Sequence, residues 1–122
     1  DVTALTAKGQ IVCVECKSGA ADFQADKKWG GYLEWCDEFY FAVDADFPID
    51  LLPPEQGLII ADGFGAEIIR PSVIASLAAA RRKAQVLRIG RATALRLRAI
   101  TDPGLSRFLD GSVGEDQPGG EA

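Results

Sequence analysis

Residues 11–14, Ile-Val-Cys-Val, form a run too apolar and β-branched for a solvated sheet edge. It reads as a central strand buried on both faces. Glu15, Cys16 and Lys17 follow directly. On a strand, Glu15 and Lys17 point to the same face, because side chains alternate with a period of two. A carboxylate and an ammonium at the end of a buried strand are costly unless they pair or bind something. Asp1 adds a third ionisable group. It opens the segment Asp1-Val2-Thr3-Ala4-Leu5, which reads as the preceding strand of a hairpin turned at Ala7-Lys8-Gly9.

Further along, Ser18-Gly19 breaks the strand, and Ser18 is a candidate cap for the next element. Residues 20–36 have helical character, with Phe23, Trp29, Leu33 and Cys36 near one face and Gly30-Gly31 as a weak point. Phe39–Val43 reads as a third strand. The stretch from Asp44 to Gln56, with Pro48, Pro53 and Pro54, reads as a loop with a short turn of helix. Residues 57–62 and 66–70 flank Gly63-Phe64-Gly65 as a second hairpin, ended by Pro71. Residues 73–100, rich in Ala, Leu and Arg, read as a long helix stopped by Asp102-Pro103-Gly104. The order β-β-α-β-β-β-α, with strands needing cover on both faces, implies an α/β (α+β) fold. A mixed β-sheet flanked by helices of this order is compatible with a restriction-endonuclease-like core.

At 122 residues the chain suits one domain with a single core. That domain is expected over 1–101, closing with a basic helix over 73–101, with 102–122 as an acidic, Gly/Pro-rich, disordered tail. The chain has no Met and opens on Asp1, and so reads as starting inside a longer protein. No apolar stretch approaches a membrane span and no secretory signal is visible, so a cytoplasmic location is expected. Cys13 and Cys16 form a C-x-x-C string, but residues three apart on a strand face opposite sides. With no His and no second pair to complete a zinc site, Cys13, Cys16 and Cys36 read as core thiols in a reducing compartment.

Net charge is −5, but it is segregated. Residues 1–70 carry net −8, residues 71–101 carry seven bases and no acid, and residues 102–122 carry net −4. The overall acidity therefore does not exclude a polyanionic partner. Arg81, Arg82 and Lys83, with the arginines beyond them, could track phosphates and give salt-dependent DNA binding. The structural alternative is a solvated helix whose arginines pair with the acidic first half. Lys27, Lys28 and Tyr32, beside Trp29, form a smaller candidate patch of cations and aromatics, although a Trp there is more often core.

Phosphodiester hydrolysis needs a cation to neutralise developing charge and an activated water. Mg²⁺, or Mn²⁺ in its place, takes oxygen ligands: one or two carboxylates, then water and phosphate. Asp1 and Glu15 supply carboxylates and the Cys16 backbone carbonyl a further oxygen. Lys17 beside them could orient or help deprotonate the water and steady the phosphate. Glu-x-Lys arises by chance about 0.4 times in a chain this long, so the pattern alone is not specific. Its structural alternative is a cross-strand ion pair. Asp22 and Asp26 are either accessory acids or an exposed helix face.

Longer stretches are more specific. Val14-Glu15-Cys16-Lys17-Ser18, Ala21-Asp22-Phe23 through Asp26, Lys28-Trp29, Tyr32-Leu33, Cys36-Asp37, Tyr40–Val43, Phe47-Pro48, Gly57–Ile59, Ala61-Asp62, Ala66–Ile68 and Ala80–Lys83 resemble the MmcB family of bacterial DNA-repair proteins. The resemblance spans residues 1 to about 100. It implies the PD-(D/E)xK nuclease-like superfamily, a DNA-repair role with DNA and repair-protein partners, and Asp1, Glu15 and Lys17 as active-site residues. The chain departs from the family in reading Ser18-Gly19-Ala20 where Ser-Ser-Arg is usual, and in lacking the family's N-terminal helix before Asp1.

Overall fold

The computed structural model describes residues 1–104. It is an α+β fold with a five-stranded mixed sheet ordered β1-β2-β3-β4-β5. The strands are β1 (Val2–Leu5), β2 (Ile11–Cys16), β3 (Glu38–Val43), β4 (Gly57–Ala61) and β5 (Ala66–Arg70). β1 and β2 pair antiparallel, β2, β3 and β4 run parallel, and β5 returns antiparallel. Both expected hairpins form. Gly9 takes φ +84° in the first, where a side chain would be strained, and Asp62 Oδ1 accepts the Phe64 and Gly65 N–H groups in the second.

The best-buried strand is β3, not β2. In β2 only Ile11 is fully buried, whereas Phe39, Tyr40, Phe41 and Val43 of β3 all are. One strand separates β2 from open sheet edge, and β1 beside it is exposed along its length. The expectation of a fully buried β2 is corrected accordingly. Phe39 and Phe41, two apart on one face of β3, meet edge-on at 5.1 Å. Phe23 and Trp29 close over them, with ring separations of 5.1 to 5.8 Å. Trp29 is thus part of the core.

The helical stretch after β2 divides into α1 (Ala20–Ala25) and a 3₁₀ segment, Trp29–Trp35. The break falls at Asp26 and not at Gly30-Gly31, because Asp26 turns extended and binds the Lys28 N–H through its side chain. A second short 3₁₀ turn, Ile49–Leu51, lies in the proline-bearing loop as expected. The long helix α2 is Ala79–Thr101, six residues shorter at its start than the expected 73–100. Residues 73–78 are instead held by tertiary hydrogen bonds, Ala75 N–H to Asp37 O at 2.9 Å and Leu77 N–H to Asp37 Oδ1 at 3.0 Å.

Two compact units are distinguished: Asp1–Gln85, with the whole sheet, and the chain from Val86 onward. The described part of the second is dominated by the rest of α2, with Leu87, Leu97 and Ile100 exposed. The expected tail falls almost wholly outside the described residues. All three cysteines are free: Cys36 is buried, Cys13 half-buried, and Cys16, on the alternate face of β2, exposed. Cys16 is therefore not the core thiol expected of it. No helix among the described residues is long and apolar enough to cross a membrane.

Candidate functional site

Glu15 and Lys17 meet where the first hairpin runs beside β3, with Asp1 next to Glu15 on the neighbouring strand side. The register Val2↔Val14 places Asp1 beside Glu15. The Asp1 backbone nitrogen lies 3.4 Å from Glu15 Oε2, and Asp1 Oδ2 accepts the Cys16 N–H at 2.7 Å. Lys17 N–H donates to Ala42 O at 3.0 Å, one rung past the end of β2. That rung keeps the Lys17 side chain on the Glu15 face. Its Nζ donates to Glu15 Oε1 at 3.2 Å and to Asp26 Oδ2 at 2.6 Å.

The Lys17 side chain is 5% exposed, so its ammonium is held almost dry between two carboxylates. Burial pulls its pKa down, but the hydrogen bonds it donates to Asp26 and Glu15 outweigh burial and leave it above the usual lysine value. Lys17 therefore keeps its proton throughout the neutral range. It is suited to act as a fixed cation.

Asp26 is aimed by its own backbone. It follows the last residue of α1 in an extended conformation, and its Oδ1 accepts the Lys28 N–H at 2.7 Å in an Asx-type turn. That leaves Oδ2 for Lys17, whose hydrogen bond holds the Asp26 carboxyl below the usual range. Asp26 is thus a member of the cluster, where its sequence position admitted an exposed helix face equally well. The signal for it was spatial: a carboxylate just past the first short helix returns to the strand end that precedes the helix. Asp22 has a different occupation. Its Oδ2 accepts the Ser18 N–H and hydroxyl at 3.0 and 3.2 Å, so Asp22 reaches back to fix the loop and Ser18 caps nothing.

Among the described residues, no three His, Cys, Asp or Glu side chains form a metal cage by themselves. The donors expected for a metal, Asp1, Glu15 and the Cys16 carbonyl, are hard oxygen ligands that would leave most positions to water and phosphate. That chemistry fits Mg²⁺ or Mn²⁺.

The basic candidates separate. Arg82 is committed within the fold: its guanidinium donates two bonds to Asp37, at 2.7 and 2.8 Å, and one to Gly9 O at 2.8 Å. Arg81 sits 5.4 Å over the Trp35 ring and donates to Glu34 O, yet remains exposed. Lys83, Lys27, Lys28 and Tyr32 are exposed.

A family described as DNA repair protein MmcB-like matches residues 1–104. Among solved structures, a protein of unknown function from Silicibacter pomeroyi is similar, with 53% sequence identity and a TM-score of 0.80, over 85% of this chain and 71% of that one. No curated protein matches.

Proposed function

For a chain that belongs to the DNA repair protein MmcB-like family, we propose a DNA-repair role in which the Asp1–Glu15–Lys17 cluster hydrolyses a phosphodiester of DNA with Mg²⁺ or Mn²⁺. The observation that carries this reading is the nearly dry Lys17 ammonium, held between the Glu15 and Asp26 carboxylates just past the end of β2. Asp1, Glu15 and the Cys16 carbonyl would hold the metal. A bound divalent ion supplies charge neutralisation at the phosphate and lowers the pKa of its water.

Lys17 contributes as a cation. Its proton is retained by Glu15 and Asp26, so it donates to a phosphate oxygen and steadies the added charge of the transition state. Asp26 keeps the ammonium from following the phosphate out of position.

A second reading is favoured by the internal pairing itself. Glu15 Oε1 and Asp1 Oδ2 already accept hydrogen bonds from Lys17 and Cys16. A cluster closed on itself suits a nuclease fold that binds DNA without cutting it. Titrating Mg²⁺ and Mn²⁺ against duplex, nicked and branched DNA separates the two. Metal-dependent cleavage is expected, reduced by at least about a hundredfold in Glu15→Ala and Lys17→Ala, as for loss of an electrostatic catalytic group. Binding without cleavage of any of these DNAs establishes the second reading in place of the first.

A further inference from the structure

A cavity of about 510 Å³ opens directly beside the cluster, lined by Phe23, Gln24, Asp26, Lys27, Trp29 and Gly30. We infer that it receives an unpaired nucleobase of the DNA strand, so that the site acts on DNA with a single-stranded or unpaired nucleotide. This rests on the nuclease-site reading and names the form of its substrate.

Three observations point there. Phe23 and Trp29 are half-buried: both pack edge-on against Phe41, and both also contribute to the cavity wall. Their rings lie 6.5 Å apart at 31°, an aromatic surface that the core holds in place. A flat ring stacks on such a surface whatever its sequence, which is how proteins hold single strands. Next, the polar groups are of the right kind. Lys27 and Gln24 are exposed at the wall, a cation for a flanking phosphate and an amide for a base edge. The acid in the wall, Asp26, has both oxygens engaged, one by the Lys17 ammonium and one by the Lys28 N–H.

Finally, Asp26 is common to both places. One of its oxygens is 2.6 Å from Lys17 Nζ, and the same side chain lines the cavity. A nucleotide seated there has its backbone next to the cluster. A base within a duplex has both faces covered and must be unstacked and unpaired before it can enter, at an energetic cost that an already unpaired base avoids.

Trp29 reports directly on occupancy. The chain has two tryptophans, so Trp35→Phe leaves Trp29 as the sole indole emitter. The full chain carrying Trp35→Phe is titrated in EDTA with a labelled twelve-nucleotide oligo-dT and with a blunt duplex. Binding is followed by anisotropy of the label. Single-stranded DNA is expected to quench Trp29 as it binds, and duplex is expected to leave the emission unchanged. In the otherwise native chain, Gln24→Ala with Lys27→Ala should weaken single-strand binding about tenfold while leaving the melting temperature in place, since both side chains are exposed.

Trp29 emission unmoved by bound oligo-dT, or moved equally by duplex, overturns the inference. So does single-strand binding indifferent to the double substitution. EDTA keeps the assay independent of cleavage. Quenching in a protein that never cuts DNA removes the nuclease reading and leaves the base site standing; metal-dependent cutting without quenching does the reverse.

Discussion

Asp37 does more for this fold than any residue of the proposed site. Its side chain is 2% exposed, yet both oxygens are fully engaged. Oδ2 accepts the Ile11 N–H at 2.7 Å and a bond from Arg82, and Oδ1 accepts the Leu77 N–H and the other Arg82 nitrogen. One carboxylate therefore ties the start of β2 to the segment before α2 and to the first turn of α2. The Arg82 hydrogen bonds, helped by those of Ile11 and Leu77, hold its pKa far below the ordinary carboxylate value of 3.8. A depressed folded-state pKa stabilises the fold at pH above the unfolded value, and that stability is lost as pH falls below it. Asp37→Asn should thus cost about 3 kcal/mol at pH 7, the typical loss for a broken buried pair. The gap between variant and wild type should narrow as pH drops below about 4, read by urea unfolding at each pH. A gap that stays constant into acid would contradict the assignment. Sequence alone placed Asp37 only at the end of a helical stretch. Its partners lie 26 to 45 positions away, and no local pattern encodes that distance.

At the level of elements, short-range signals were reliable and tertiary competition was not visible. Strand runs and Gly turns gave all five strands in order, because alternation and turn chemistry are local. The strand-end position of Glu15 and Lys17 was legible for the same reason. The start of α2 was not, because Asp37 holds residues 75 and 77 in a non-helical path that helix propensity alone would override. Relative strand burial escaped as well, since it depends on which strand lies mid-sheet. The β3–β4 pair carries a further requirement that composition hides. Tyr40 pairs with Gly57 in register, and a Cβ at Gly57 would overlap the Tyr40 ring. Tyr40 is 7% exposed and has little room to withdraw. Gly57→Ala should therefore destabilise by about 2 kcal/mol through overpacking, measured by thermal or urea unfolding. Adding Tyr40→Leu should make the Gly57→Ala step cheaper, a coupling that a double-mutant cycle reads directly.

For the molecule as a whole, the charge segregation has a measurable consequence. Of the seven bases between 71 and 101, Arg82 is taken by Asp37 and Arg81 lies 3.9 Å from Glu34. Lys83, Arg88, Arg91, Arg96 and Arg98 are exposed on α2. An exposed basic stripe releases counterions when it meets DNA, so the logarithm of affinity should fall linearly with the logarithm of salt concentration. Each phosphate-contacting base removed should flatten that slope by about 0.9 on duplex and about 0.7 on a single strand. Arg88→Ala, Arg91→Ala and Arg96→Ala combined should weaken binding and reduce the duplex slope by up to roughly 2.7. Arg82→Ala should act through stability instead, lowering the melting temperature with the slope retained in the folded fraction. A slope unchanged by the triple substitution would mean that Arg88, Arg91 and Arg96 do not meet DNA. The phosphate contacts would then be expected from Lys27 and Lys28 beside the aromatic cavity, and Lys27→Ala with Lys28→Ala would carry the loss of slope.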